Sequence, residues 1–365
     1  METLEKYMHI ALKLAEKGRG TTLTNPLVGA VIVKDGKIIG EGYHKYFGGP
    51  HAEVIAINQA GELVKNSTLY VTLEPCCDFF GKKTPACVDL VINKGIREVV
   101  VAMKDPNPKV SGRSIAKLRK HNIKVTVGLL EEEAKKINEP YIKYIRTGLP
   151  FVISKMAISL DGKIATKTND SKWISNELSR RLVHKIRSKV DAILVGVNTV
   201  IKDNPNLNVR WIKGKEPFKI IVDEKCKIPL NSKVLKFKTL VLIATTELAN
   251  KHKIELLKKK GISILVVKSN KGLVDLRDLL RRLPELGICS VMIEGGSSIL
   301  TSAIKDGLVD KIMWFKSPKI IGGDGLDVIG PIGIDKIKDA LVVHNTVTKK
   351  LGNDVLIEGY LCSQV

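Results

Sequence analysis

Apolar residues recur at helical spacing at Leu4, Met8, Ala11, Leu12 and Ala15, which predicts an amphipathic helix over residues 3–17, closed by Gly18. Two apolar runs follow, 28–33 and 37–43, joined by Asp35-Gly36. A D-G pair between such runs predicts a tight hairpin. Helices and strands then take turns: helix 51–60, strand 68–73, helix 85–94, strand 98–103, helix 114–121 and strand 124–127. This order predicts a mixed sheet with helices on both faces. A charged helical stretch, 131–145, leads to Thr147-Gly148-Leu149-Pro150, and a fresh strand–helix alternation begins at Phe151. The runs 151–157, 192–197, 218–222, 239–244, 263–267 and 290–294 predict a second sheet, with a helix over 299–305 after the last of them. The chain therefore reads as α/β with two domains, 1–147 and 148–365.

Composition agrees with that division. A chain of 365 residues exceeds one ordinary domain, and 44% hydrophobic content suffices for two cores. The amino terminus lacks the apolar core of a signal peptide, and no run of about eighteen apolar residues could span a bilayer. We therefore expect a cytoplasmic protein without a membrane partner. Six cysteines do not make a disulfide framework in a reducing compartment, and Cys226, Cys289 and Cys362 read as structural or incidental. A formal charge of +22 admits nucleic acid, anionic lipid or phosphorylated small molecules as partners. The lysines are spread along the chain and aromatics are only 5%. That composition disfavours base stacking, so nucleic acid is not expected as a partner and a minority of the charge is reserved for phosphate groups.

Three short segments carry chemistry. His51-Ala52-Glu53, Pro75-Cys76 and Cys87 supply an imidazole, two thiolates and a free carboxylate. One imidazole and two thiolates fill three corners of a zinc tetrahedron and leave the fourth to water, whose pKa the metal lowers toward about 7. The water becomes hydroxide at neutral pH. Glu53, two residues past the histidine on a helix opening at Pro50-His51, can approach the metal without ligating it and shuttle protons. The zinc deaminases have this arrangement, H-x-E followed by P-C-x-x-C. Here the C-x-x-C pair is absent, because Cys76 is followed directly by Cys77 and then by Cys87. Adjacent cysteines rarely turn both sulfurs toward one metal, whereas Thr84-Pro85-Ala86-Cys87 would start a helix with proline in its first turn. We take Cys76 and Cys87 as ligands and Cys77 as a neighbour.

The second half offers weaker signals. The run Val291-Met292-Ile293 ends in Glu294-Gly295-Gly296-Ser297-Ser298 and enters a helix, a place where exposed N–H groups attract phosphate. It is not G-x-G-x-x-G, and a G-G turn alone is more often ordinary loop geometry. Ile321-Gly322-Gly323-Asp324-Gly325 shares that ambiguity. Lys155 and Asp161 stand at the two ends of a strand-to-turn segment that could equally be a strand closed by a D-G turn.

The order of the motifs carries more than any one of them. Asn25-Pro26-Leu27-Val28-Gly29, Gly42-Tyr43-His44, His51-Ala52-Glu53, Thr72-Leu73-Glu74-Pro75-Cys76, Thr84-Pro85-Ala86-Cys87 and Asp105-Pro106-Asn107-Pro108 resemble the riboflavin-biosynthesis pyrimidine deaminases. Ser159-Leu160-Asp161-Gly162, Trp173-Ile174, Gly196 to Thr199, Asp203-Asn204-Pro205 and Glu294-Gly295-Gly296 resemble the reductase half of the same bifunctional family. The resemblance implies a cytidine-deaminase-like domain followed by a dihydrofolate-reductase-like one. It further implies zinc-dependent hydrolysis of the ring amine of a ribosylaminopyrimidine 5′-phosphate, then NADPH-dependent reduction of its ribosyl group to ribityl. Carried over by motif, His51, Cys76 and Cys87 bind one zinc and Glu53 shuttles protons. Ala157, Trp173, Thr199, Asp203 and the run Gly296, Ser297, Ser298, Ile299, Leu300, Thr301 and Ser302 match cofactor positions. Ser171, Arg187, Leu207, Arg210 and Glu294 match substrate positions, with Asn25, Lys155 and Asp161 as further pocket residues. The two arginines suit a phosphate, since guanidinium offers a bidentate fork. A homo-oligomer is a further family expectation.

The chain departs from the family pattern at two places. Cys77-Asp78 replaces a usual Ser-His in a loop about two residues longer, and Glu224 follows Asp223 where a serine is common near the cofactor. A carboxylate there would repel a 2′-phosphate, so NADPH is implied by family rather than by charge. A nucleic-acid deaminase of the tRNA adenosine type shares H-A-E and P-C, but leaves residues 151–365 without a role. A non-enzymatic reading, with zinc structural, gives Glu53 no task.

Overall fold

The computed structural model describes residues 2–78 and 85–361, which divide between Gly148 and Leu149 into two compact units. The first unit runs α1 (Glu2–Glu16), β1 (Gly29–Lys34), β2 (Lys37–Tyr43), α2 (Ala52–Ala60), β3 (Thr68–Leu73), α3 (Cys87–Asn93), β4 (Glu98–Met103), α4 (Arg113–Lys120), β5 (Lys124–Val127), α5 (Glu131–Ile137) and α6 (Glu139–Thr147). Its sheet has the order β2-β1-β3-β4-β5. β1 is antiparallel to both neighbours, and β3, β4 and β5 are parallel. Asp35 and Gly36 both take positive φ, as a two-residue hairpin turn requires.

Strand side chains alternate between faces, and both faces are apolar. Ala30, Ile32, Leu69, Val71, Val99 and Val101 pack with residues of α2, α3 and α4. Val31, Val33, Tyr70, Val100 and Ala102 pack with residues of α1, α5 and α6 on the other face.

Close packing and one side-chain clamp position the segments of the first unit. A Cβ on Gly40 or Gly42 of β2 would stand 2.2 Å from the carbonyl oxygen of Ala56 or Ala52. Only glycine lets α2 lie so close to the strand. The single helix expected over 131–145 is instead two, broken at Asn138, whose side chain accepts from the Leu27 N–H at 2.8 Å and donates to the Leu27 carbonyl at 3.0 Å. The amide thereby fixes the segment that carries Asn25. α3 begins later than expected: Ala86 is its N-cap, so Pro85 precedes the first turn rather than sitting in it. Thr84 and loop residues 79–83 lie outside the described residues, as does Cys362.

The second unit runs β6 (Phe151–Ile158), β7 (Lys163–Ala165), α7 (Glu177–Arg187), β8 (Ala192–Gly196), α8 (Val197–Asp203), β9 (Phe218–Val222), β10 (Val241–Thr245), α9 (Lys251–Lys259) and β11 (Ser263–Val266). It continues with β12 (Ser269–Asn270), β13 (Leu273–Val274), α10 (Leu276–Arg282), β14 (Ser290–Glu294), α11 (Ser297–Lys305), β15 (Lys311–Lys316), β16 (Leu326–Asp327), β17 (His344–Leu351) and β18 (Asp354–Tyr360). Its large sheet has the order β11-β10-β9-β8-β14-β6-β15-β18-β17. The ladders are parallel from β11 to β15, while β18 is antiparallel to both β15 and β17. Alternation again builds two cores. Ala192, Leu194, Val291 and Ile293 face α10 and α11, and Ile193, Val195, Ile221 and Met292 face α7, α8 and α9. Among the described residues, no helix is long and apolar enough to cross a membrane.

Candidate active sites

The first site forms where α2 and α3 begin. His51 is the N-cap of α2, Cys87 is the first residue of α3, and Cys76 lies shortly past the end of β3. Their ligand atoms lie within 4.8 Å of one another. His51 Nδ1 stands 3.2 Å from Cys87 Sγ and 3.4 Å from Cys76 Sγ. Cys77 turns the other way, its thiol reaching the Lys109 carbonyl at 3.6 Å. One nitrogen and two sulfurs converging on one point is a donor set that suits a soft-to-borderline cation. Cys87 and His51 hold the Cys76 thiol far below the usual range. Glu53, in the first turn of α2, is buried. Burial, and then the neighbouring Cys76, push its carboxyl up to about 6.

Around these groups lies a second set of bonds. The Glu74 carboxylate, also buried, accepts from the backbone N–H groups of Asp105 at 3.3 Å, Gly112 at 2.9 Å, Ser114 at 3.1 Å and Ile115 at 3.3 Å. It caps α4 and fixes the strand exit leading to Cys76. His44 lies edge-on to His51, with ring centroids 5.5 Å apart. Its Nδ1 is 3.1 Å from the Pro50 carbonyl, and its Nε2 is 3.0 Å from the Asn25 amide nitrogen. A carbonyl can only accept, so Nδ1 carries the proton and Nε2 accepts from Asn25.

The second site is a cavity of about 460 Å³ in the second unit. Its walls come from β6, the segment 171–175, α7, α8 and the turn between β14 and α11. Lys155 and Arg187 meet at Glu294. Arg187 grips that carboxylate with two nitrogens, at 2.9 and 2.7 Å, and Lys155 reaches it at 3.3 Å. Burial alone would raise Glu294, but the Arg187 guanidinium and the Lys155 ammonium outweigh it and hold the carboxyl at about 2. Gly295 and Gly296 both take positive φ and lie against Thr199.

Comparisons with known proteins cover both units. Residues 1–103 match the model of the cytidine and deoxycytidylate deaminase zinc-binding region, and residues 150–357 match that of the RibD C-terminal domain. A RibD protein from Aquifex aeolicus is 47% identical, covering 97% of this chain and 97% of its own. The chain belongs to the RibD family. Another RibD protein, from Escherichia coli, is 36% identical, covering 97% of this chain and 98% of its own. A solved Acinetobacter baumannii RibD superposes with a TM-score of 0.86 at 32% identity, covering 98% of this chain and 99% of that one. A Thermotoga maritima structure described as a diaminohydroxyphosphoribosylaminopyrimidine deaminase and 5-amino-6-(5-phosphoribosylamino)uracil reductase gives 0.83 at 39% identity, covering 99% of each chain. As a RibD family member, the chain is a bifunctional deaminase and reductase of riboflavin biosynthesis, with a cytidine-deaminase-like first domain and a dihydrofolate-reductase-like second. Its domains call for a metal and a nucleotide cofactor.

Of the RibD positions carried over from sequence, Lys155, Ala157, Ser171, Trp173, Arg187, Thr199, Asp203, Leu207, Arg210 and Glu294 line the cavity, as do Gly296, Ser297 and Ser298. The rest of that run does not. Leu300 is fully buried in the core, Ile299 packs against Gly196, and Thr301 accepts from the Gly330 N–H at 2.8 Å. Ser302 is also outside the lining, because only the first turn of α11 faces the cavity. Asp161 is outside it too. Its carboxylate accepts from Ser159 Oγ at 2.6 Å and from the N–H groups of Ile321 at 3.1 Å and Gly322 at 2.8 Å. Those bonds occupy N–H groups of the second glycine-rich loop, which a phosphate would need. Glu224 does not line the cavity, so its carboxylate does not face a ligand held there. Sequence reasoning passed over Arg180 and His184, which line the cavity with Arg187. Their positions at i, i+4 and i+7 on one helix were the available signal.

Proposed function

We propose that the first unit hydrolyses the ring amine of 2,5-diamino-6-ribosylamino-4(3H)-pyrimidinone 5′-phosphate, and that the second reduces the ribosyl group of the product to ribityl with NADPH. The observation that carries the reading is the buried Glu53 carboxylate beside one imidazole and two thiols, on a chain that also bears the separate cavity around Glu294. We assign His51, Cys76 and Cys87 to one zinc ion, whose Lewis acidity activates water. With the metal bound, Glu53 would take one proton from water and pass it to the ring nitrogen, then take the second from the new hydroxyl and pass it to the leaving amine. Its carboxyl, raised by burial, suits both directions of transfer. Water enters, ammonia leaves, and an amine-bearing carbon becomes a carbonyl. Asn25, held by the Asn138 clamp and bonded to His44, is assigned to the same pocket.

In the second unit NADPH, when bound, would supply the hydride. Thr199, Asp203, Ala157, Trp173 and the Gly296–Ser298 turn are assigned to the cofactor, and Ser171, Arg187, Leu207, Arg210 and Glu294 to the substrate. Lys155 and Arg187 keep Glu294 ionised, so it accepts hydrogen bonds and does not donate a proton at neutral pH. A cytoplasmic homo-oligomer completes the proposal.

Incubating the protein with the diamino substrate, with and without NADPH, tests it. Ammonia should appear without NADPH, and NADPH oxidation should follow when it is added. Ammonia from tRNA and none from the pyrimidine would overturn it.

A further inference from the structure

The cavity of the second unit is charged beyond what its own carboxylates balance. Lys155, Arg180, Arg187, Lys202 and Arg210 line it against Asp203 and Glu294 alone. Glu294 is engaged by Lys155 and Arg187. Lys202 donates to the neutral Asn169 at 2.6 Å. Among the described residues, the Arg210 side chain donates only to the Asn208 amide oxygen, at 3.3 Å, and that of Arg180 only to the Ser175 carbonyl, at 2.6 Å. His184, between them, is held down to about 4 by burial and by Arg187 and Arg210. It is neutral at pH 7 and balances nothing.

Arg180 is nonetheless held firmly. Its guanidinium carbon lies 4.6 Å from the Trp173 ring centroid and 5.6 Å from that of Trp211. Arg210 approaches the same Trp211 ring at 5.7 Å. Among the described residues, the buried Nε of Arg180 has no hydrogen-bond partner. Arg181 is a third guanidinium on the Trp211 ring, at 5.8 Å, and is paired with Glu177 at 2.8 Å. Three cations gathered on one indole repel one another, and a π face offsets only part of that. A planar cation stacked against indoles, with one guanidinium nitrogen turned to the Ser175 carbonyl, keeps its terminal N–H groups for an anion in the cavity that it lines.

We propose that Arg180 joins Arg210 in clamping the 5′-phosphate of the reductase substrate, with Trp211, outside the cavity lining, as the residue that positions both. The proposal rests on the reductase function assigned to the second unit. Trp173, assigned to the cofactor, is the nearest ring to Arg180, but the substrate monoester is favoured over the cofactor phosphates because Arg180 shares one face of α7 with Arg187 and shares the Trp211 ring with Arg210, both assigned to the substrate.

The test compares 5-amino-6-ribosylaminouracil 5′-phosphate with its dephosphorylated form, following NADPH oxidation. Arg180→Ala should raise KM for the phosphorylated substrate by about 10- to 100-fold, as loss of a charge-assisted contact does. Its kcat, and its rate on the dephosphorylated form, should stay near wild type. Arg180→Lys, which keeps charge but loses the fork, should fall between. Trp211→Phe should keep the preference for phosphate, and Trp211→Ala should lose it. Equal losses on both substrate forms would overturn the clamp, as would a rise in KM confined to NADPH. Wild-type protein that oxidises NADPH with neither form would instead overturn the reductase reading itself.

Discussion

Glu53 shows how much a single residue depends on its surroundings. An exposed glutamate would be fully ionised and poorly matched to a proton relay, whereas burial beside Cys76 raises this one to about 6. Glu53→Gln keeps the volume and removes the relay. Ammonia release should fall by about 100- to 10,000-fold, while zinc content and NADPH oxidation on deaminated substrate stay at wild-type values. Ammonia release at the wild-type rate would remove Glu53 from the mechanism. His51, Glu53, Cys76 and Cys87 were legible because metal chemistry constrains residue type and local spacing together. Glu74 and His44 were visible only as letters in their motifs. Their bonds to Gly112, Ser114 and Pro50 join segments that spacing alone does not bring together.

At the scale of elements, the contact between α2 and β2 decides where His51 and Glu53 stand. A methyl group on Gly42 would meet the Ala52 carbonyl at 2.2 Å and the Ala56 nitrogen at 2.8 Å, and these backbone atoms cannot yield as a flexible side chain can. Gly42→Ala should push the start of α2 away from the sheet, carrying His51 and Glu53 with it. Deaminase activity should drop at least about tenfold, as an ångström-scale misplacement of catalytic groups does, with weaker zinc retention in a chelator competition and unchanged reductase activity. Retention of full deaminase activity would show that α2 can shift without cost. Elements buried on both faces were readable, since their apolar runs are continuous or alternate. β17 was not. Seven of its eight positions are exposed, so it carries no apolar rhythm, and it joins the sheet through backbone pairing with β18. The split between α5 and α6 was hidden for another reason: Asn138 leaves the helix to bind Leu27, a partner 111 residues away in sequence.

For the whole molecule, net charge said little and the joint order of motifs said much. A charge of +22 is spread over many lysines along the chain, and five cations line the cavity. The two sets of functional side chains instead fall cleanly on either side of Gly148. That separation makes metal removal a selective perturbation. The three side chains that could hold a metal ion all belong to the first unit, and every residue lining the cavity around Glu294 belongs to the second. A chelator should therefore abolish ammonia release while leaving NADPH oxidation on supplied deaminated substrate intact. Because a bound ion stabilises only the folded form that holds it, apoprotein should also unfold with one early transition, from the first unit, and one unshifted. Calorimetry with paired ammonia and NADPH assays reads both effects. Chelation that slowed reduction in equal measure would mean that the second unit depends on the metal, and the assignment of independent sites would fail.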